Sequence, residues 1–301
     1  MKIAIIGAGA IGLSFAAIWT KSDQEITLFC RDESRANLLA KEGIILTRQH
    51  ETNIIKVKTT ANIQYLSEHD LIVPAVKAYD LESVLRAIKN HLNAKARVVL
   101  IQNGLEILKL ASKYINSSRL IRAILTFGAY LESYNKVNIL SEGEILLYTP
   151  LKDSLFMDIL NAFKSTDFTI REIKDLKELE WFKTIVNSAI NPLSAIVERE
   201  NGFLIENSLL KEIFIKVADE STKVAKKLGI TFHEDPVHAA MDVARKTANN
   251  YSSMLQDIRK GKKTEIDFIN GKIIEYGKQI GVNVDLNKML YAIIKAKEQS
   301  K

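Results

Sequence analysis

The stretch Lys2-Ile-Ala-Ile-Ile6-Gly7-Ala-Gly9-Ala-Ile-Gly12 decides how the rest of the chain is read. Five residues, four of them apolar, form a short strand that runs straight into Gly7, Ala8, Gly9, Ala10, Ile11 and Gly12. Leu13, Ala16 and Ala17 then continue at helical spacing. In a strand–turn–helix setting each glycine of GxGxxG has its own reason. Gly7 permits the tight turn, Gly9 lets backbone approach a pyrophosphate, and Gly12 lets the helix lie close to the sheet. The helix then points its unpaired N–H groups at the phosphates. The motif alone says little; directly after a strand, it predicts a dinucleotide-binding βαβ unit.

Working outward, a second strand at 25–30 ends at Arg31-Asp32, where such folds discriminate between cofactors. An acidic residue there accepts from a ribose 2′-hydroxyl, whereas an arginine meets a 2′-phosphate. With both present the signal is mixed, and the guanidinium fork favours NADP(H). A surface ion pair, with Arg35 one helical turn on, is the other reading. Strand-like runs follow at 54–59, 71–76 and 97–101, with helical spacing at Leu81, Val84, Leu85 and Ile88 between the last two. This alternation predicts an α/β protein with a Rossmann-type, doubly wound parallel sheet. Pro74 cannot donate to a central ladder, so a bulge or strand end is expected there.

Two strand exits, at Val76-Lys77 and at Gln102-Asn103-Gly104, fall on the side where open α/β sheets bind ligands, although either is also ordinary turn chemistry. Runs at 122–130 and 144–148 read as strands that finish the sheet antiparallel. A helix through Leu155, Ile159, Leu160 and Phe163 follows. The domains are expected at 1–173, binding the dinucleotide, and 174–301, all-helical and binding substrate.

The second half opens on Trp181-Phe-Lys183-Thr-Ile-Val-Asn187-Ser-Ala-Ile-Asn191-Pro192. As a helix it aligns Lys183, Asn187 and Asn191 at i, i+4 and i+8, opposite Phe182, Ile185, Val186 and Ile190. Asparagine is a poor helix-interior residue, so two of them in line with a lysine suggest an ammonium and two amides around a small polar ligand. A solvated stripe on an amphipathic helix is the plainer alternative. Helical spacing recurs from Leu209 to Ala218, with Gly229 ending that helix, and Asp235-Pro236 reads as an N-cap with proline in the first turn. Thr264 is expected to cap a helix reaching Gln279, with Asp267 at its N3 position. On that reading Glu265 is simply a first-turn acid, and Ser253 a cap.

Composition removes other classes. At 47% hydrophobic and 26% charged residues the chain is an ordinary globular protein, and its 301 residues suffice for two domains. No apolar run reaches the ~18 residues of a membrane span, and the N-terminus lacks a signal-peptide cleavage pattern. A single cysteine, Cys30, excludes an internal disulfide and suits a cytoplasmic protein. The net charge of +6 is spread along the chain without an aromatic-basic cluster, which fits an anionic cofactor or substrate and gives nucleic acid no direction. His233 and His238 do not form HExxH, and there is no GxSxG, so no metal site or Ser-His triad is expected.

Taken together, GAGAIG at Gly7, Arg31, VKAYD around Lys77, QNG at Asn103, WFKTIVNSAINPLSAI from Trp181 and SSMLQDIRKGKKTEIDFING from Ser252 resemble the ketopantoate reductase family over nearly the whole chain. The resemblance implies a Rossmann domain, a helical domain, and NADPH-dependent reduction of ketopantoate to (R)-pantoate on the route to pantothenate and coenzyme A. It further implies Lys183 as general acid and Glu265 as the carboxylate that orients the substrate hydroxyl. Asn103, Asn187, Asn191 and Ser253 would bind substrate. Gly7 to Gly12, Arg31, Lys77, Asn103 and Glu265 would line the cofactor. Three departures stand out: Lys262 where arginine is common, Pro74 within its strand, and no proline near Val284-Asp285. The rival readings are a reductase of another branched 2-oxo acid, a β-hydroxyacid dehydrogenase and a dinucleotide sensor without turnover. A homodimer is a guess, since apolar helix faces serve a domain core equally well.

Overall fold

The computed structural model describes residues 1–141 and 143–300. These form two compact units, one comprising Met1–Gln102 and Glu106–Lys174, the other comprising Asn103–Leu105 and everything described from Asp175 onward.

The first unit begins with β1 (Lys2–Ile6), α1 (Ala10–Trp19), β2 (Glu25–Phe29), α2 (Glu33–Glu42), β3 (Ile44–Arg48), β4 (Glu51–Ile55) and β5 (Lys58–Thr60). It continues with β6 (Leu71–Pro74), α3 (Ala78–Ile88), β7 (Arg97–Leu100), α4 (Ile107–Ala111) and β8 (Leu120–Leu125). Its last elements are β9 (Gly128–Leu131), β10 (Lys136–Ser141), β11 (Glu144–Tyr148), α5 (Ser154–Lys164) and β12 (Thr169–Glu172). Eight strands make one sheet in the order β12-β11-β8-β7-β6-β1-β2-β5. From β5 to β8 every neighbouring pair is parallel. The chain winds from β1 outward to β2 and β5, then returns to the other side of β1 for β6, which makes the β1–β6 junction the switch point of a doubly wound sheet. The central strands are apolar along their length (Ile3, Ala4, Ile5; Leu71, Ile72, Val73), as burial on both faces requires.

Three sequence expectations need correction. The run 54–59 is two elements: Ile54 and Ile55 end β4, while Lys58–Thr60 pairs with β2 at the sheet edge. The run 122–130 is likewise split between β8 in the large sheet and β9 in a separate four-stranded sheet, β4-β3-β10-β9. Finally, β8 continues the parallel set, and only β11 is antiparallel to it, with β12 parallel to β11. Pro74 is the last residue of its strand, where its missing N–H costs no ladder bond.

Helix α1 contacts β1 and β2 of the large sheet and β3, β9 and β10 of the small one. An aromatic cluster holds this layer together. Phe15 stacks on Trp19 at 4.7 Å, Trp19 meets Phe163 edge-on at 5.0 Å, and the indole N–H donates to Ala162 O at 2.7 Å. Such pairs contribute about 0.5–1.5 kcal/mol beyond burial alone.

The second unit is helical apart from the short Asn103–Leu105 segment: α6 (Leu176–Val197), α7 (Phe203–Glu206), α8 (Ser208–Lys227), α9 (Pro236–Lys246), α10 (Ser253–Arg259), α11 (Asn270–Ile280) and α12 (Asp285–Gln299). The 22-residue α6 is its axis and touches α8, α9, α10 and α12. Ile185, Ala189, Ile190 and Leu193 of α6 pack with Phe214 and Val217 of α8, Ile273 of α11 and Leu290 of α12 in one buried cluster. Asp235 caps α9 with Pro236 next to it, and Gly229 follows α8 at φ +82°. The helix expected from Thr264 to Gln279 does not start there. Residues Ile266–Phe268 form a 3-10 turn, and α11 begins only at Asn270.

No helix among the described residues is long and apolar enough to cross a membrane, and no group of three or more His, Cys, Asp or Glu among them is placed to hold a metal ion.

Candidate active site

In the first unit the glycine-rich loop joins β1 to α1 at the switch point. Gly7 turns at φ +109° and donates its N–H to Phe29 O at 2.9 Å, tying the loop to the end of β2. A Cβ on Gly12 would sit 1.9 Å from Gly7 O and 3.2 Å from the Ala75 Cβ, so only glycine allows this approach of helix, turn and the exit of β6. Helices α2 and α5 of this unit carry aspartate side-chain caps, at Asp32 and Asp153. By contrast α1 and α3, which follow the two strands flanking the switch point, begin without any side-chain cap, at Gly9 and Lys77. At α1 the missing cap sets a positive dipole end directly behind the glycine turn, a setting suited to an anion. That arrangement fits the pyrophosphate of a dinucleotide.

Beyond β2, Arg31 and Asp32 are both exposed, and Asp32 Oδ1 accepts the backbone N–H of Arg35 at 2.7 Å, which caps α2. The sequence reading treated Arg35 only as half of an ion pair. Its guanidinium instead lies 5.4 Å over the Tyr134 ring and donates to Tyr134 O and to Ala8 O (3.3 Å) within the glycine loop. Burial pushes its pKa below the ordinary arginine value. Cys30, between the strand and these arginines, is buried, and burial pushes its thiol up to about 11, which keeps it protonated and inert. Gln102 is a second residue whose role the sequence hid. Its amide donates to Pro74 O and Val76 O (3.1 Å), so it braces the exit of β6 that leads to Lys77, and Arg122 holds the Gln102 carbonyl at 2.7 Å.

The second unit holds most of the remaining residues. Lys183, Asn187 and Asn191 lie on α6 at one-turn intervals; the first two are half-buried and Asn191 is buried. Asn103 belongs with this unit, although the preceding sequence belongs with the sheet. Its Nδ2 donates to Glu265 Oε2 at 3.0 Å, and Glu265 is 5% exposed, so the carboxylate is held by an amide in a nearly dry setting. Gly104 makes this possible. At φ +101°, with a Cβ position 2.6 Å from Phe268 O, it lets the backbone press against the Glu265–Phe268 turn while Leu105 N donates to Phe268 O at 3.1 Å.

That turn is bolted to α12. Thr264 donates through N and Oγ1 to Glu298 Oε1 at 2.8 and 2.7 Å, and Asp267 accepts from Tyr291 Oη at 2.7 Å and Lys295 Nζ at 3.2 Å. Asp267 is therefore an anchor and not the capping-box acid expected from sequence. Burial raises the Glu298 pKa, but the bonds from Thr264 and Lys295 outweigh it and hold the carboxyl below its usual range. Ser252, not Ser253, caps α10, accepting Leu255 N at 3.1 Å; Ser253 is the first helical residue and half-buried.

A doubly wound parallel sheet with a glycine-rich turn at its switch point, and a helical unit carrying an ammonium, amides and a held carboxylate, are the parts expected of a dinucleotide-dependent oxidoreductase. The chain matches the ketopantoate reductase PanE/ApbA family over residues 3–149 and the C-terminal part of that family over residues 175–298. It belongs to the ketopantoate reductase family. A 2-dehydropantoate 2-reductase of Pyrococcus horikoshii is 35% identical over 99% of this chain and 98% of its own. A PanE/ApbA family ketopantoate reductase from Ralstonia eutropha superposes with a TM-score of 0.91 at 25% identity, covering 99% of both chains. A D-mandelate dehydrogenase solved with NADH and anilino(oxo)acetate gives the same TM-score at 23% identity, over 100% of this chain and 99% of its own, and shares the fold.

Proposed function

We propose that the protein reduces 2-dehydropantoate (ketopantoate) to (R)-pantoate with NADPH, using 1–173 for the dinucleotide and 174–301 with Asn103 for the substrate. The observation that carries the reading is Glu265 held by Asn103 inside the unit whose axial helix lines up Lys183, Asn187 and Asn191. A buried carboxylate and amide fixed to one another suit recognition of a hydroxylated oxo acid, and fixed groups are what catalysis by positioning needs.

On this reading the N-terminus of α1 and the Gly7–Gly12 loop hold the pyrophosphate, with Lys77 beside the nicotinamide end. The exposed Arg31 beyond the end of β2 supports NADPH over NADH, because a guanidinium there forks onto phosphate. Arg31 then meets the 2′-phosphate. When bound, the reduced nicotinamide supplies a hydride to the 2-oxo carbon. The chain's own part is to manage the charge that grows on the carbonyl oxygen: the Lys183 ammonium stabilises it and transfers the proton. Asn187, Asn191 and Ser253 bind the substrate, and Glu265 orients its hydroxyl.

The test is NADPH oxidation with ketopantoate and a panel of other 2-oxo acids, with NADH in parallel. Turnover confined to ketopantoate supports the reading. Preference for another 2-oxo acid refutes the substrate but keeps the chemistry, and NADPH binding without any turnover refutes both. Phenylglyoxylate belongs in the panel because the D-mandelate dehydrogenase shares this fold.

A further inference from the structure

Pro192 lies inside α6, four residues after Ser188. Proline has no backbone N–H, so the carbonyl of Ser188 loses the donor that would close its helical turn. Ser188 has no solvent exposure, so this carbonyl needs a partner from the protein. Asn270, at the start of α11, supplies it: Nδ2 donates to Ser188 O at 3.0 Å. The same nitrogen donates to Asn287 Oδ1, also at 3.0 Å. Asn287 accepts in addition from Ser221 Oγ (3.4 Å) and donates to Glu220 Oε2 (3.0 Å), and Ser221 shares a 2.9 Å bond with Ser188 Oγ. Ser221, Asn270 and Asn287 have no solvent exposure either.

The Asn270 amide oxygen has no hydrogen-bond partner among the described residues. A fully buried amide whose acceptor goes unused is kept for its two donors, and those donors reach the interrupted turn of α6 and the residue that links it to α8 and α12. The interruption falls at a telling place. Lys183 and Asn187 precede Ser188, and Asn191 follows it, so the placement of the third relative to the first two runs across the missing bond.

We propose that Asn270 is a positioning residue: by standing in for the absent N–H of Pro192, it fixes the joint in α6 and hence where Asn191 sits relative to Lys183 and Asn187. The inference rests on the reading of those three side chains given above. It predicts coupling between residues 192 and 270. In the Pro192→Ala variant, residue 192 regains an N–H for Ser188 O, and the amide of Asn270 becomes dispensable.

The experiment is a double-mutant cycle on Pro192→Ala, Asn270→Ala and the pair, read by kcat, KM for ketopantoate, the NADPH dissociation constant and thermal unfolding. Misplacement on the ångström scale costs about 10- to 100-fold, so Asn270→Ala should lose that much in kcat/KM while NADPH affinity holds within about twofold. In the Pro192→Ala background the same change should cost less than about threefold. Equal losses in both backgrounds, or wild-type kcat and KM in Asn270→Ala, overturn the inference. Should Asn270→Ala not fold, Asn270→Leu keeps most of the volume, removes the N–H donors without adding a charge, and enters the same cycle with the same expected and overturning results. A wild-type chain that turns over no 2-oxo acid refutes the reading of the site. Wild-type turnover with an unaltered Asn270 variant refutes only the present inference.

Discussion

Two alanine substitutions in the first loop should separate a ligand contact from a packing contact. A Cβ on Gly12 falls 1.9 Å from Gly7 O, roughly 1.5 Å short of ordinary van der Waals distance, and neither the Cβ, fixed to its Cα, nor the backbone carbonyl can rotate aside. The helix must move, and overpacking of this kind costs about 1–3 kcal/mol. At about 2–4 °C per kcal/mol for a unit of this size, Gly12→Ala should melt several degrees lower than wild type. The α1 N–H groups move with the helix, so NADPH affinity should fall by about 100-fold, or roughly 2.7 kcal/mol.

Gly9 presents the opposite case. Its φ of −86° suits any residue, and an added Cβ meets only Ala75 O, at 3.9 Å. The free protein has room for that methyl group, so Gly9→Ala should unfold within about 1 °C of wild type, in line with small surface effects. It should still lose at least about 10-fold in NADPH affinity, because the methyl occupies the space a pyrophosphate needs against the backbone. The assays are ligand-free thermal unfolding and a fluorescence titration with NADPH. A Gly9→Ala protein that binds NADPH within about threefold of wild type would remove the pyrophosphate from this loop.

Three further outcomes follow from the site and the core. Lys183→Ala should lower kcat by about 100-fold or more, the range for a lost general acid, and near-normal turnover would exclude it from that role. Arg31→Ala should weaken NADPH by at least about 10-fold while NADH changes little; equal loss of both would argue against a 2′-phosphate contact. His69 is buried with its Nδ1 2.8 Å from Tyr65 O, and burial holds its pKa below the ordinary value. The unfolded chain therefore takes up the proton first, so this contribution to stability is complete above about pH 6.5 and declines as the pH falls toward the folded pKa. Melting from pH 7.5 down to 5.5 should fall less steeply for His69→Gln than for wild type, and parallel curves would refute the assignment.

The large sheet was legible because its central strands are short, apolar and punctuated by glycine, and because α1 and α3 show helix periodicity. The small sheet was not. Its β3–β4 hairpin turns through Gln49 and His50, both at positive φ, where an Asn-Gly or Asp-Gly pair would have announced it. Strand β4 is mostly exposed and carries Glu51, Thr52 and Asn53, so no apolar alternation marks it. In the helical unit the stripe on α6 could be read from spacing alone, but the anchoring of Thr264 and Asp267 to α12 could not, since both residues mimic a capping box. The bracing roles of Arg35 and Gln102 are not legible in the sequence because their partners are carbonyl groups distant along the chain, at Ala8 and Tyr134 and at Pro74 and Val76, and no side-chain pattern encodes a backbone acceptor.

The membership of Asn103–Leu105 in the second unit bears on how such chains can be recombined. Leu105 lies in the buried apolar cluster of the helical unit, and Asn103 supplies the partner of Glu265. A fragment starting at residue 175 would lack a core side chain and one half of that pair. A chimera of this chain with a relative, spliced at the same point, would keep only one half of that pair from this chain. On the proposed reading of the site, specificity moves with the helices only when this three-residue segment travels with them, although residues 106–174 lie between the two in sequence.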